Sequence, residues 1–504
     1  MARPSSTAAS HILKFSQDIM AHLSPDSGPR ANRPRLGKTG IDVKIDNHWS
    51  SKAYTSGSTI NGHVIVNSHR DVPFDDLEIL FTGTAYTRVD FVNQYATYAS
   101  RPFMKLRMPI RAADFPNPRV FQAGRTYTIP FHFVVPHQLT LSACTHHVEN
   151  SAVRDAHLRL PPTMGLWENN DQSPEMASIE YSIRAAVFRD TAEEGRIMPL
   201  ENFHLLKVLP SLPEDAPLDI SPKDERYHVS KTKTIRKNLF SAKQGKLSAT
   251  AVQPSAIMLS ADALRASESL MRINLDFDPA SPDAVPPKIN SVTAKLQATT
   301  FFSNAPMSHL PNMGARIKYE TNPCLTYSTS TTLPISAIDT QTWELESLIQ
   351  RRDSGYSSSA WPEEEASDSD GSHRRRNKKS AKSPNRQVSA LNIPFTLPMG
   401  KNKFFLPSFH SCISGRAYFI HLTMSVGPMN TNINLSVPLQ IGVENIYDLP
   451  QGDLPSFESA MAEAEQEAAD SYFSPRLMHV PSMEFQETST LPGYHDLQRP
   501  TAMA

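Results

Sequence analysis

An all-β chain of two antiparallel β-sandwiches in tandem is the fold that this sequence predicts, on three observations. Segment after segment places apolar residues at every second position, the period of a strand with one buried face. Forty-one prolines stand against 19 glycines, a balance that suits short strands, turns and disordered segments better than helix bundles. The alternation falls into two groups of similar size within 504 residues, a length that holds more than one core at roughly 100–200 residues per domain.

Residues 1–40 are polar and read as a disordered arm. Within it Ile12, Phe15, Ile19 and Leu23 share a helix face, which fits a short fraying helix; a membrane-surface helix is the alternative, disfavoured because Lys14 alone gives it little basic character. From Ile41 the period changes to two. "IDVKID" aligns Ile41, Val43 and Ile45; "LEILFTGTAYTRV" aligns Leu77, Ile79 and Phe81; "YTIPFHFVVP" aligns Tyr127, Ile129, Phe131, Phe133 and Val135; "IEYSIRAAVF" aligns Ile179, Tyr181, Ile183, Ala185 and Val187. Pro, Gly, Asn and Asp punctuate these runs, as in an antiparallel sandwich of immunoglobulin-like type. The first sandwich spans residues 41–210 and a linker covers 211–245.

The second sandwich spans residues 246–446. "MRINLDFD" aligns Met271, Ile273, Leu275 and Phe277, "SVTAKLQATTFF" aligns Val292, Ala294, Leu296 and Ala298, and "RAYFIHLTMSV" and "NINLSVPLQIGV" close it. Residues 350–390 interrupt it with acidic, basic and serine-rich blocks that bury too little apolar surface to offset their ordering entropy, and read as a disordered insertion. Residues 447–504 read as a disordered tail, with a short helix over "ESAMAEAEQEAAD".

Charge and cysteine content narrow the function. Fifty basic residues against 51 acidic ones leave a net charge of −1, so no global field favours nucleic acid or an anionic membrane. Cys144, Cys324 and Cys412 are odd in number and widely separated, and no secretory leader opens the sequence, which suits a reducing cytosol. No apolar run of about 18 residues predicts a membrane span.

Certain stretches resemble the arrestin family. "FQAGRTYTIPFHFVVPHQL" is similar to the signature G-x-x-Y-x-I-P-F-x-F-x-V-P, carried here by Gly124, Tyr127, Ile129, Pro130, Phe131, Phe133, Val135 and Pro136. "SGSTINGHVIVNS" resembles an early strand pair with a G-x-V-x-V run, and "HLRLPPTMG" resembles an L-P-P-S turn of fungal members. "INSVTAKLQATTFF", "KNKFFLPSFHSCISGRAYFIHLTMSV" and "LSVPLQIGVE" resemble the C-terminal arrestin domain of the fungal α-arrestin group, so that the resemblance covers roughly residues 41–445. It implies an adaptor recruited from the cytoplasm to the plasma membrane or endosomes. Such proteins grip cytosolic segments of membrane transporters or receptors and recruit a WW-domain HECT ubiquitin ligase, for endocytosis and sorting of the cargo.

The tail has its own chemistry. WW domains bind a polyproline-II segment followed by a tyrosine, and the family ligand P-P-x-Y has an L-P-x-Y variant that Leu491, Pro492, Gly493 and Tyr494 match. Pro492 fixes its own φ and extends Leu491, while Gly493 gives back some of that order, so a weak ligand is expected. "DLPSFESA" puts Phe457 where the tyrosine belongs and is at best degenerate.

Other sites follow from charge. Arg101, Lys105, Arg107, Arg111, Arg119 and Arg125 lie close in sequence with only Asp114 opposing them, a composition suited to phosphorylated or acidic cargo or to an inositol phospholipid, with an ordinary solvated face as the plain alternative. Ser354 and Ser389 follow arginines at basophilic-kinase spacing in the insertion and are candidate phosphosites. "HRRRNKK" beside "EEEASDSD" reads as charge-balanced loop, with a nuclear role the alternative, and no nucleic-acid partner is expected. "CTHHVE" brings Cys144, His146 and His147 together, and His157 follows, but the paired spacings of a zinc site are missing, so no metal and no cofactor are expected. No nucleophile elbow, phosphate loop or H-E-x-x-H occurs, so no enzymatic activity is expected. A second function fits the same features: an arrestin-fold signalling or retromer-type sorting scaffold, regulated by phosphorylation and without a ligase.

Overall fold

The computed structural model describes residues 40–90, 96–193, 195–221, 224–238, 240–312, 324–335, 342–345, 386–400 and 402–445. The strands of the first half are β1 (Ile41–Ile45), β2 (Ala53–Tyr54), β3 (Thr59–Asn67), β4 (Val72–Pro73), β5 (Asp76–Val89), β6 (Thr97–Arg107), β7 (Val120–Phe121), β8 (Thr126–Val134), β9 (Ala177–Thr191) and β10 (Gly195–Val208). A three-stranded sheet in the order β1-β3-β8 and a five-stranded sheet in the order β2-β10-β9-β5-β6 form its two layers. Their inward residues are the alternating ones: Ile129, Phe131 and Phe133 of β8, and Leu77, Ile79 and Phe81 of β5, are buried. Phe81 meets Phe133 across the layers at 5.9 Å between ring centroids. Burying each such side chain contributes about 1.5–3 kcal/mol.

Two glycines of this half have specific structural reasons. Gly62 lies where β3 passes between β1 and β8; a Cβ there would collide with the Lys44 carbonyl oxygen and come within 2.6 Å of the Phe131 ring. Gly124 turns the chain into β8 with φ at +74°, a conformation that side chains with a Cβ resist.

The second half contains β11 (Ser230–Arg236), β12 (Lys243–Ala251), β13 (Ile257–Leu259), β14 (Ser269–Pro279), β15 (Ile289–Phe302), β16 (Leu325–Leu333), β17 (Glu344–Leu345), β18 (Gln387–Phe395), β19 (Phe409–His410), β20 (Ser414–Val426), β21 (Thr431–Leu439) and β22 (Ile441–Val443). One sheet runs β11-β12-β14-β18-β17; the other runs β16-β15-β20-β19, with β21 also paired to β20. Ile273, Leu275 and Phe277 of β14 and Ile420, Leu422 and Met424 of β20 are buried in the core they share. The fold is all-β and built mainly of antiparallel sheets, as expected.

Two boundaries differ from the sequence reading. The linker expected at 211–245 contains β11, which pairs along β12 from Ser230↔Thr250 to Arg236↔Lys243. Of β11 only Ile235 is buried; an edge strand of Lys and Thr has no apolar alternation to reveal it. The insertion expected to reach residue 390 gives way earlier, because β18 begins at Gln387 and pairs with β14 from Phe277↔Gln387. The helix Ser151–Leu158 was also not foreseen. Asn150 caps it, its side chain accepting from the Val153 amide at 3.0 Å, and Val153, His157 and Leu158 are its buried residues. Among the described residues no helix is long and apolar enough to cross a membrane.

Candidate functional site

The six basic residues grouped by the sequence do not form one patch. Arg107, on edge strand β6, places Nη2 2.9 Å from Asp76 and Nη1 3.6 Å from Glu78. Arg196 of β10 shares both carboxylates, at 3.0 and 3.3 Å. Arg111 pairs with Asp114 at 3.0 Å, and its hydrogen bond holds the Asp114 carboxyl below the ordinary carboxylate range. Arg119 lies 5.1 Å from the Phe115 ring and Arg125 5.3 Å from the Tyr127 ring. Lys105 is exposed opposite Thr82. The opposing carboxylates come from β5, the strand next to β6, so they are close in space while remote in sequence.

Arg101 departs furthest from its expected role. It points into the junction between the two sandwiches, where Nη2 donates to the Ala143 carbonyl at 3.4 Å and the buried Nε has no hydrogen-bond partner.

That junction is where buried polar groups concentrate. Arg416 of β20 is fully buried. Its Nε donates to Thr300 Oγ1 at 3.0 Å, its Nη1 to the Asp171 carbonyl at 3.0 Å, and its Nη2 to Ser173 Oγ at 2.9 Å. One guanidinium fork therefore holds a second-half strand to a first-half loop, using neutral oxygens only, and charge-assisted bonds of this kind are stronger than neutral ones. The Asp171 side chain is occupied elsewhere, accepting from the Gly165 amide at 2.6 Å and the Ser173 amide at 3.1 Å.

Further contacts extend the junction. The Trp167 and Phe404 rings stack at 4.0 Å. Thr87 Oγ1 donates to the Ser303 carbonyl at 3.0 Å, and Thr329 Oγ1 to Gln172 Oε1 at 2.8 Å. Leu212 and Val443 exchange backbone hydrogen bonds at 3.1 and 2.9 Å. The "HLRLPPTMG" segment is built into this region: Tyr181 donates to the Pro161 carbonyl at 2.6 Å, and Trp167 Nε1 to the Thr163 carbonyl at 2.7 Å.

Beside the junction the fold assembles Cys144, His146, His157 and Cys412, one donor atom from each lying within 4.8 Å of the others. Cys144 closes the 3-10 turn Leu141–Ala143, His146 follows two residues on, and His157 occupies the last turn of the helix. Cys412 comes from the tight β19–β20 hairpin, where the Ser411 amide donates to the Ser414 carbonyl at 2.8 Å. Burial pushes the Cys412 thiol up to about 11 and the His157 imidazole down to about 3, so both are neutral at pH 7 when no metal ion is bound.

No ligand set was expected around "CTHHVE" from local spacing, yet the fold brings four donor side chains together there. The fourth donor is Cys412, which local spacing cannot reveal because a hairpin far along the chain supplies it. His147, expected with the others, is exposed and outside the group. For His157 a signal existed: Asn150 caps a turn whose apolar Val153 and Leu158 set which face turns inward.

Ser389 is also corrected. It lies in β18 opposite Leu275, and its Oγ donates to the Thr342 carbonyl at 2.7 Å. Its backbone is committed to a sheet ladder, so it does not lie in a disordered loop as expected. Leu491, Pro492, Tyr494, Phe457, Ser354, the arm helix and "HRRRNKK" lie outside the described residues. No protein-family model matches the chain, and no curated protein matches it.

Proposed function

We propose that the chain is an arrestin-like cytosolic adaptor, which grips cytosolic segments of membrane transporters or receptors with its sandwiches and recruits a WW-domain HECT ubiquitin ligase through Leu491, Pro492 and Tyr494. Ubiquitin-dependent endocytosis and sorting of the cargo follow. The observation that supports this most is the combination of two antiparallel sandwiches, bonded to each other through buried polar groups, with an L-P-x-Y sequence beyond them. The "YTIPFHFVVP" stretch adds to it, forming most of β8 and its end with Ile129, Phe131, Phe133 and Val135 buried.

Cargo or phosphate contact on the basic segment narrows to Lys105, Arg119 and Arg125, which are exposed and pair with no carboxylate among the described residues. Arg107 and Arg111 already hold acidic partners, and their charge is offset. The reading requires no enzymatic activity.

Calorimetric titration of a peptide covering residues 488–497 into WW domains of HECT ligases tests the recruitment step. Weak binding by the native peptide, lost in Tyr494→Ala, is the expected result. Equal or absent binding for both removes the ligase and leaves a phosphorylation-regulated signalling or sorting scaffold, for which Ser354 is then a candidate phosphosite.

A further inference from the structure

We propose that Cys144, His146, His157 and Cys412 bind one zinc ion, which pins the second sandwich to the first. Two thiols and two imidazoles are a donor set that zinc takes in four-coordinate tetrahedral sites, with bonds of about 2.3 Å to sulfur and about 2.0 Å to nitrogen. Such a tetrahedron separates sulfur from nitrogen by about 3.5 Å. Here Cys144 Sγ lies 3.8 Å from His146 Nδ1 and 3.7 Å from His157 Nδ1, so only small side-chain movements separate the observed group from a ligating one. The site is closed: Cys144, His157 and Cys412 are 2%, 1% and 6% exposed.

Two independent observations point to a cation. His157 is buried, its Nδ1 meets only the Cys144 sulfur, at 3.7 Å, and its Nε2 has no hydrogen-bond partner; neither ring nitrogen therefore has a strong partner in the protein, and a metal ion would supply one to whichever nitrogen ligates. His146 shows the outer contact typical of a ligating histidine, its Nε2 lying 3.1 Å from the Met307 carbonyl. With Nε2–H donating to that oxygen, the Nδ1 lone pair is left for a metal.

Charge balances as well. Two thiolates neutralise a divalent zinc, and the guanidinium of Arg101, which lines the same pocket as His157 and Cys412, then faces anionic sulfur rather than excess positive charge. Binding releases the two thiol protons. The consequence is mechanical: three ligands belong to the first sandwich and Cys412 to the second, so an occupied site ties both halves of the chain to one ion.

The full-length chain, purified under reducing conditions and reconstituted with zinc(II), is assayed for bound metal by plasma mass spectrometry and by chromophoric chelator after thiol modification. One zinc per chain is expected, abolished in Cys144→Ser and in Cys412→Ser and retained in His147→Ala and Cys324→Ser. Because a serine variant could misfold, cobalt(II) substitution of the native chain provides the second measurement. Tetrahedral d–d bands with thiolate charge-transfer absorption are expected. Less than a tenth of a zinc per chain after reconstitution, cobalt spectra without sulfur ligation, or a Cys144–Cys412 disulfide that persists in the reduced preparation would each overturn the proposal.

Discussion

The outer face of the first sandwich and the junction between the sandwiches both use arginine, in opposite ways. On the outer face Arg107 and Arg196 share Asp76 and Glu78 in contact with water. Such pairs gain little, since solvent screens the attraction and two long side chains lose freedom. At the junction Arg416 has no exposure and bonds only to hydroxyl and carbonyl oxygens. There every donor that loses its acceptor stays buried without water to replace it, so the cost of disruption is large. Charge count therefore says little about importance in this chain; desolvation decides it.

The largest effect is expected from Arg416→Ala. It leaves Thr300, Ser173 and the Asp171 carbonyl without their donor and opens a cavity, at a cost of about 3 kcal/mol or more. Urea denaturation of the native and variant chains reads it. Arg416→Lys should recover only part, because an ammonium cannot span the same three oxygens as a fork. A loss below about 1 kcal/mol in Arg416→Ala would erase the distinction between junction and outer face.

Next in size is the Trp167–Phe404 stack, 4.0 Å between centroids. A double-mutant cycle with Trp167→Ala and Phe404→Ala should return a coupling of about 1 kcal/mol, since the rings join the two halves face to face. Simple additivity would show that the contact contributes nothing of its own.

How much of this was legible in the sequence follows from the range of each interaction. Strand alternation and the turn at Gly124 are set by neighbours one or two residues away or by the strand's own period, and they are visible along the chain, whereas the need for glycine at position 62 comes from Lys44 and Phe131 on the flanking strands. Edge strand β11 was hidden because a solvated edge needs no apolar face. Ser389 was misplaced because a polar insertion runs directly into β18, and Leu391, Ile393 and Phe395, its buried residues, lie after the composition has already changed. The carboxylates facing Arg107, and Cys412 facing Cys144, depend on tertiary proximity, which no local spacing encodes.

A smaller effect concerns acid. His48 is partly buried, beside His204 and Lys52, and burial above all brings its pKa from 6.5 down to about 4. The folded state thus keeps it neutral while the unfolded chain takes up a proton first, as the pH drops through 6.5. Stability from this group is complete above pH 6.5 and lost progressively as the pH falls toward 4. Melting temperatures recorded from pH 7 to 4 should fall, and His48→Gln should flatten that slope; an unchanged slope would exclude His48 as a contributor.

The smallest effect is expected at the outer face. Arg107→Ala should cost less than about 1 kcal/mol, and the difference should shrink further in high salt. A larger, salt-insensitive loss would place the outer face in the same class as the junction.

Adaptor function is tested most directly by co-purification of the full-length chain with a WW-domain HECT ligase from cytosol, native against Tyr494→Ala. The native chain should bring the ligase down and the variant should not, with both showing the same melting temperature, because position 494 lies beyond both sandwiches. Ligase recovered equally with both chains, or with neither, would contradict the recruitment step.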